Sequence, residues 1–116
     1  MKLKFLVRTG PYSYQNIDTV YHLTRRALGR GHDVFIYLYE DGTLNASSEI
    51  KSLEERNIAE RVAELVSLGA KVGLCGTCAK FRGLSKKEVV DGVKYGGLAL
   101  LVREMPECDR FISFGY

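Results

Sequence analysis

Val72-Gly73-Leu74-Cys75-Gly76-Thr77-Cys78-Ala79-Lys80-Phe81-Arg82-Gly83-Leu84 is a short apolar run that ends in a cysteine and gives way at once to a helix start. A thiol at Cys75 therefore stands where a strand stops. In a sheet with helices on its faces, ligands collect outside the carboxyl ends of the strands. Cys75 is the candidate nucleophile by placement, and Cys78 follows one helical turn behind it.

Working outward, Leu3–Val7 reads as a buried strand stopped by Thr9-Gly10-Pro11. Ile17, Val20, Tyr21, Thr24, Ala27 and Leu28 recur at helical spacing, which predicts a helix from about Ser13 to Gly29 with Arg25, Arg26 and Arg30 facing out. Asp33–Leu38 reads as a second strand, and residues 41–50, without a period and carrying Gly, Asn and Ser, as an exposed loop. The Ser52-Leu53-Glu54-Glu55 capping box opens a helix whose stripe is Ile58, Val62, Leu65 and Val66. Ala70–Leu74 is the third strand. A second box, Ser85-Lys86-Lys87-Glu88, predicts another helix, the run from Gly97 to Met105 one more, ended by Pro106, and residues 109–114 a last strand. Strands alternating with helices indicate βαβ crossovers, hence an α/β fold with a mainly parallel sheet of four to five strands covered on both faces.

Bulk properties narrow the function. The chain has 116 residues, the size of a single domain spanning 1–116, with 46% hydrophobic and 27% charged residues. Its apolar runs fall short of a bilayer span, so no membrane contact is expected. Met1-Lys2-Leu3-Lys4 lacks a signal-type apolar region and cleavage site, and three cysteines are an odd count, so reduced thiols in a cytoplasmic setting are expected. A net charge of +3 is too weak to announce direct nucleic-acid binding. Lys71, Lys80, Arg82, Lys86, Lys87 and Lys94 lie near the cysteines in sequence, as a solvated basic face or as an electropositive rim that suits a thiolate or an acidic partner.

Crossovers of one hand put the strand-to-helix loops on one edge. Cys75 is thus expected to face Gly10, Pro11, Tyr12 and the loop at residues 42–45, with Gly76, Thr77, Lys80 and Arg82 completing a thiolate-stabilising pocket. Amides at a helix start favour an anion by ~0.3 to 1 kcal/mol. No base accompanies the thiol: His32 precedes the second strand and His22 lies within the first helix, which disfavours a Cys-His hydrolase. A structural zinc site needs four ligands, and the sequence has one C-x-x-C. Cys108 precedes the last strand, a strand length of ~17 to 20 Å from the carboxyl edge, and reads as a buried small apolar residue. No metal and no cofactor is expected. The turn Thr9-Gly10-Pro11-Tyr12-Ser13 lacks the glycines and hydroxyls that wrap a phosphate, and reads as structural. Three readings remain: a sulfur-handling nucleophile at Cys75, a thiol-disulfide oxidoreductase using Cys75 and Cys78, and an oligomeric binding protein with inert thiols.

Several stretches together resemble the DsrE/DsrF-like family over essentially the whole chain: Thr9-Gly10-Pro11-Tyr12 after the first strand, Gly31-His32-Asp33-Val34, Cys75 with Ala79, Arg82 and Gly83, and Cys108-Asp109-Arg110 before a final strand. The resemblance implies a three-layer α/β/α sandwich and a sulfurtransferase or sulfur carrier that holds sulfane sulfur as a persulfide on Cys75. It implies sulfur donor and acceptor proteins as partners and a homo-oligomer, dimer to hexamer. Cys78 departs from the relay subunits of that family, which often carry a small apolar residue there, and keeps the dithiol reading open.

Overall fold

The computed structural model describes residues 1–54 and 56–116. Five strands form one sheet: β1 (Lys2–Val7), β2 (Asp33–Leu38), β3 (Lys71–Cys75), β4 (Lys94–Gly96) and β5 (Arg110–Phe114). Their order is β4-β3-β2-β1-β5, and every pair is parallel. Among the described residues four α-helices accompany them: α1 (Asn16–Gly29), α2 (Ile58–Ser67), α3 (Gly76–Phe81) and α4 (Leu98–Glu104).

Strand alternation divides the core in two, because successive side chains point to opposite faces. Phe5, Val7, Val34, Ile36, Leu38, Val72 and Leu74 pack with Ile17, Val20 and Tyr21 of α1 and Ile58, Val62 and Leu65 of α2. The opposite parity places Phe35, Tyr37 and Cys75 together with Cys78, flanked by Leu6, Tyr39, Leu100 and Leu101. β2 is the central strand and is buried on both faces, so Val34-Phe35-Ile36-Tyr37-Leu38 is apolar without a break. Each fully buried side chain of this size contributes about 1.5 to 3 kcal/mol.

The second face is thinly covered. Leu100 of α4 lies over Gly73, so close that a Cβ there would stand 2.4 Å from Leu100 Cδ2. None of the α4 residues is buried, and Leu98 and Val102 are 49% and 66% exposed. A cleft of about 150 Å³ remains beneath the helix, lined by Phe35, Val72, Leu100 and Glu104 among others. Lys4, 6% exposed, reaches up from β1 to Glu104 at 3.6 Å, and its ammonium lies 5.5 Å from the Phe35 ring centre. A lone buried ammonium is costly, so Glu104 anchors the helix as well as the charge.

Several sequence expectations need correction. Residues 40–46 are a 3-10 helix with Gly42, Thr43, Asn45 and Ala46 buried, not an exposed loop. Gly42 sets this segment against β1, since a Cβ on it would lie 2.0 Å from the Val7 carbonyl oxygen. Asn45 Nδ2 then donates to the Thr9 and Gly42 carbonyls at 2.9 Å each, which lets polar residues pack inside. The Ser52–Glu55 box involves Glu55, which lies outside the described residues; α2 begins only at Ile58, where the Asn57 side chain accepts the Glu60 amide. Ser85 and Glu88 do pair, but they close a single 3-10 turn, Lys86–Glu88, because β4 follows at Lys94. That three-residue edge strand escaped the sequence reading. Cys108 is half-buried at the amino edge, its thiol donating to the Arg110 carbonyl, rather than sealed in the core.

The position of the α2 cap is testable. Asn57→Ala should lower stability to chemical denaturation by about 1 kcal/mol, the usual loss of an N-cap side chain. Ser52→Ala, which removes only a bond to the Glu54 amide, should change the midpoint little.

Candidate functional site

Cys75 is the last residue of β3 and the N-cap of α3. Its backbone is still extended, at φ −77° and ψ 114°, and its Sγ accepts the Cys78 backbone N–H at 3.3 Å. A cysteine takes here the part usually played by serine or aspartate, so the sulfur is held against the first amides of a helix. Gly76 has no room for a side chain, since a Cβ would meet the Tyr95 ring at 2.9 Å; the Tyr95 hydroxyl donates toward the Gly76 and Leu84 carbonyls.

The thiol lies at the carboxyl edge of the sheet, as the sequence indicates, but it is covered: Cys75 is 5% and Cys78 9% exposed. Phe35, Tyr37 and Tyr39 stack along β2 beside them, with successive ring centres 6.3 Å apart. Tyr37 is 0% exposed, and its hydroxyl makes no hydrogen bond of acceptable geometry. The ring packs in one buried cluster with Cys75 and Cys78. Burial first, and the Cys75 sulfur second, push the phenol's pKa well up. The hydroxyl thus lies in the same cluster as the two thiols without a hydrogen-bond partner. A buried hydroxyl left in this state costs ~1 to 3 kcal/mol.

Cys78 is also a free thiol. Burial and a contact with Cys75 push its pKa up, opposed by the Glu40 backbone and the Arg82 charge. Arg82 ties the helix to its surroundings: Nε donates to Asp41 Oδ1 at 2.6 Å and Nη1 to the Cys78 carbonyl at 2.9 Å. Asp41 also accepts from the Tyr116 hydroxyl at 3.3 Å and touches the Gly10 turn through its backbone. The three strand-to-helix loops therefore do converge, with Asp41 at their junction.

They do not form the pocket expected from the sequence. Gly10, Pro11 and Tyr12 line a separate cleft of about 330 Å³ with Asp41, Leu44 and Ile50. Tyr12 packs on the α1/α2 side, where its hydroxyl donates to the Arg56 carbonyl at 2.9 Å and accepts from the Ile58 amide at 3.2 Å. Thr77 and Lys80 point to solvent on α3, and Arg82 is committed to Asp41. The basic rim is likewise dispersed: Lys71 and Lys94 begin their strands and so lie at the amino edge, away from Cys75. His32 is at that edge too, its Nδ1 2.8 Å from the Met1 amino group. What the sequence reading missed is Tyr37, Leu100 and Glu104. Tyr37 was within reach, because with Leu38 beside Leu74 and Tyr37 beside Gly73, strand alternation puts Tyr37 and Cys75 on one face.

Comparison with known proteins agrees with this architecture. A model of the DsrE/DsrF-like family matches residues 1–114. The uncharacterized protein MJ0989 of Methanocaldococcus jannaschii is 30% identical over 114 residues, covering 98% of this chain and 100% of that protein. A protein of Allochromatium vinosum described as "Putative sulfurtransferase DsrE" is 27% identical, with 99% of each chain covered. The crystal structure of the Escherichia coli protein YchN superposes with a TM-score of 0.85 at 24% identity, over 98% of this chain and 99% of that one. Among the described residues no helix is long and apolar enough to cross a membrane.

The Cys78 environment has a measurable consequence. The folded chain holds the Cys78 proton more tightly than the unfolded chain does, so this contribution to stability is complete below the unfolded thiol value of ~8.5 and is lost as pH rises through the folded value. The denaturation midpoint should fall with pH above ~8.5, and the fall should be shallower in Cys78→Ser. Tyr37 remains in both proteins, so the difference isolates the thiol.

Proposed function

Because this chain belongs to the DsrE/DsrF-like family over residues 1–114, we propose that it is a sulfur carrier that takes sulfane sulfur as a persulfide on Cys75 and passes it to a cysteine of an acceptor protein. The observation that carries this reading is the Cys75 sulfur at the carboxyl end of β3, accepting the Cys78 N–H at 3.3 Å. That donor is satisfied best when the sulfur bears negative charge, as it does both as attacking thiolate and as leaving group.

The chemistry is a redox-neutral exchange. The Cys75 thiolate attacks the outer sulfur of a donor persulfide R–S–SH; the donor S–S bond breaks, a new S–S bond to Cys75 forms, and R–S⁻ departs. Delivery repeats the step in reverse sense, with an acceptor thiolate attacking the outer sulfur and the Cys75 thiolate leaving. At 5% exposure Cys75 is reached only if its cover shifts. The cover is α4, whose residues are none of them buried and which rests on the sheet through Leu100 and Glu104.

A second reading is supported by the free thiol of Cys78 beside Cys75. Attack of the Cys78 thiol on Cys75 Sγ of the persulfide would release hydrogen sulfide and leave a Cys75–Cys78 disulfide, with all atoms accounted for.

Intact mass after incubation with inorganic polysulfide separates the two. Gain of one sulfur in wild type and in Cys78→Ser, and none in Cys75→Ser, is the result expected of a carrier. Loss of two hydrogens that needs both cysteines is the result expected of a dithiol. In the same experiment Leu100→Ala, which removes the side chain over Gly73, should load several-fold faster while the final mass is unchanged; equal rates would mean that α4 does not control access.

A further inference from the structure

Among the described residues the buried side-chain atoms without a hydrogen-bond partner are Thr24 Oγ1, Tyr37 Oη and Asn45 Oδ1. Thr24 is on α1, which packs against the other face of the sheet, and Asn45 already spends its amide on two carbonyls. Tyr37 is different. It is fully buried in one cluster with Phe35, Cys75 and Cys78, and its hydroxyl has no hydrogen-bond partner there. Phenylalanine would fill the same space without an unmet donor, and buried polar groups ordinarily find partners.

We propose that Tyr37 is the hydrogen-bond donor that holds sulfane sulfur on Cys75, its hydroxyl being satisfied by the outer sulfur of the persulfide. The inference rests on the sulfur-carrier reading and adds the residue that recognises the cargo. A neutral thiol is a weak acceptor, which accounts for the unpartnered hydroxyl in the unloaded protein. A persulfide extends the side chain by one S–S bond of ~2.05 Å and presents an anionic sulfur, a far stronger acceptor. Two donors then divide the group: the Cys78 amide serves Sγ and the Tyr37 hydroxyl serves the sulfur beyond it. Burial keeps the phenol protonated across the physiological range, so Tyr37 acts as a donor and moves no proton during the exchange. Neither bond of the exchange involves the tyrosine. It stabilises the loaded form through one charge-assisted hydrogen bond.

The test is an equilibrium measurement. Cys78→Ser, which blocks disulfide formation, is equilibrated alone and combined with Tyr37→Phe or Tyr21→Phe with a low-molecular-weight persulfide and its thiol at fixed ratios, and the loaded fraction is read by intact mass. Tyr37→Phe should lower the exchange constant about tenfold or more, as loss of a hydrogen bond to a charged group does. Tyr21→Phe, which removes a phenol bonded to Glu64 on the far face, should leave it unchanged. An unchanged constant in Tyr37→Phe overturns the assignment of Tyr37 while leaving the carrier reading intact. A Cys78→Ser protein that takes no sulfur removes the carrier reading and this inference together. A second measurement needs no substitution at Tyr37: loading the Cys78→Ser protein should shift the near-ultraviolet difference spectrum of a tyrosine, and a featureless difference spectrum on a fully loaded sample would also overturn the assignment.

Discussion

One hydrogen bond fixes the centre of this molecule: the Cys78 amide on the Cys75 sulfur, at 3.3 Å. It makes the last residue of a strand the cap of the next helix, so the sulfur is positioned by the sheet on one side and by a helix on the other. A helix of six residues has little stability of its own. α3 persists because its far end is tied down by Arg82, which returns to the Cys78 carbonyl and reaches across to Asp41. Gly76 permits the turn by leaving room for the Tyr95 ring, and Gly73 leaves room for Leu100 above the same face. Two glycines and one arginine therefore decide where one sulfur atom lies.

The parts of the fold legible in the sequence are those governed by alternation. β1, β2, β3 and β5 each show an apolar run of strand length, and the stripe of α1 separates buried Ile17, Val20 and Tyr21 from exposed Arg25 and Arg26. The end of β3 at Cys75 followed from the same logic, because an apolar run met residues that start a helix. Cys108 at the opposite edge followed too, since a parallel β5 begins where β1 begins, with the Asp109 amide on the Lys2 carbonyl at 2.9 Å.

What escaped were the features created by tertiary contacts. Residues 40–46 look like a surface loop by composition, yet Asn45 and Thr43 go inside because backbone carbonyls are there to receive them. β4 is three residues long and pairs on one side only, too short for any period to show. Of the two readings of the lysines, the electropositive rim failed for a geometric reason: lysines close in sequence to Cys75 lie at both ends of the strands, and sequence distance does not tell one edge from the other. The burial of Cys75 was also invisible, since it draws on residues distant in sequence: Phe35 and Tyr37 of β2, and Leu100 and Leu101 of α4, share or flank its cluster.

Those two failures bear on each other. With Arg82 bound to Asp41, none of the ion pairs or hydrogen bonds among the described residues brings a cation to Cys75; its sulfur accepts an amide and shares a cluster with a thiol and a phenol. Lysines on an open rim would act through water, where salt weakens them within about 10 Å. Neutral donors in a covered site act at contact, and low local polarity strengthens each of them. An anionic sulfur here would depend on few bonds, each of high value, and on a cover that excludes water while the sulfur is held. The thin packing of α4 and its anchor, Glu104 beside the buried Lys4, fit a cover that is held at one end and rests loosely along its length. Burial of the sulfur and the scarcity of charge around it are thus two sides of one arrangement.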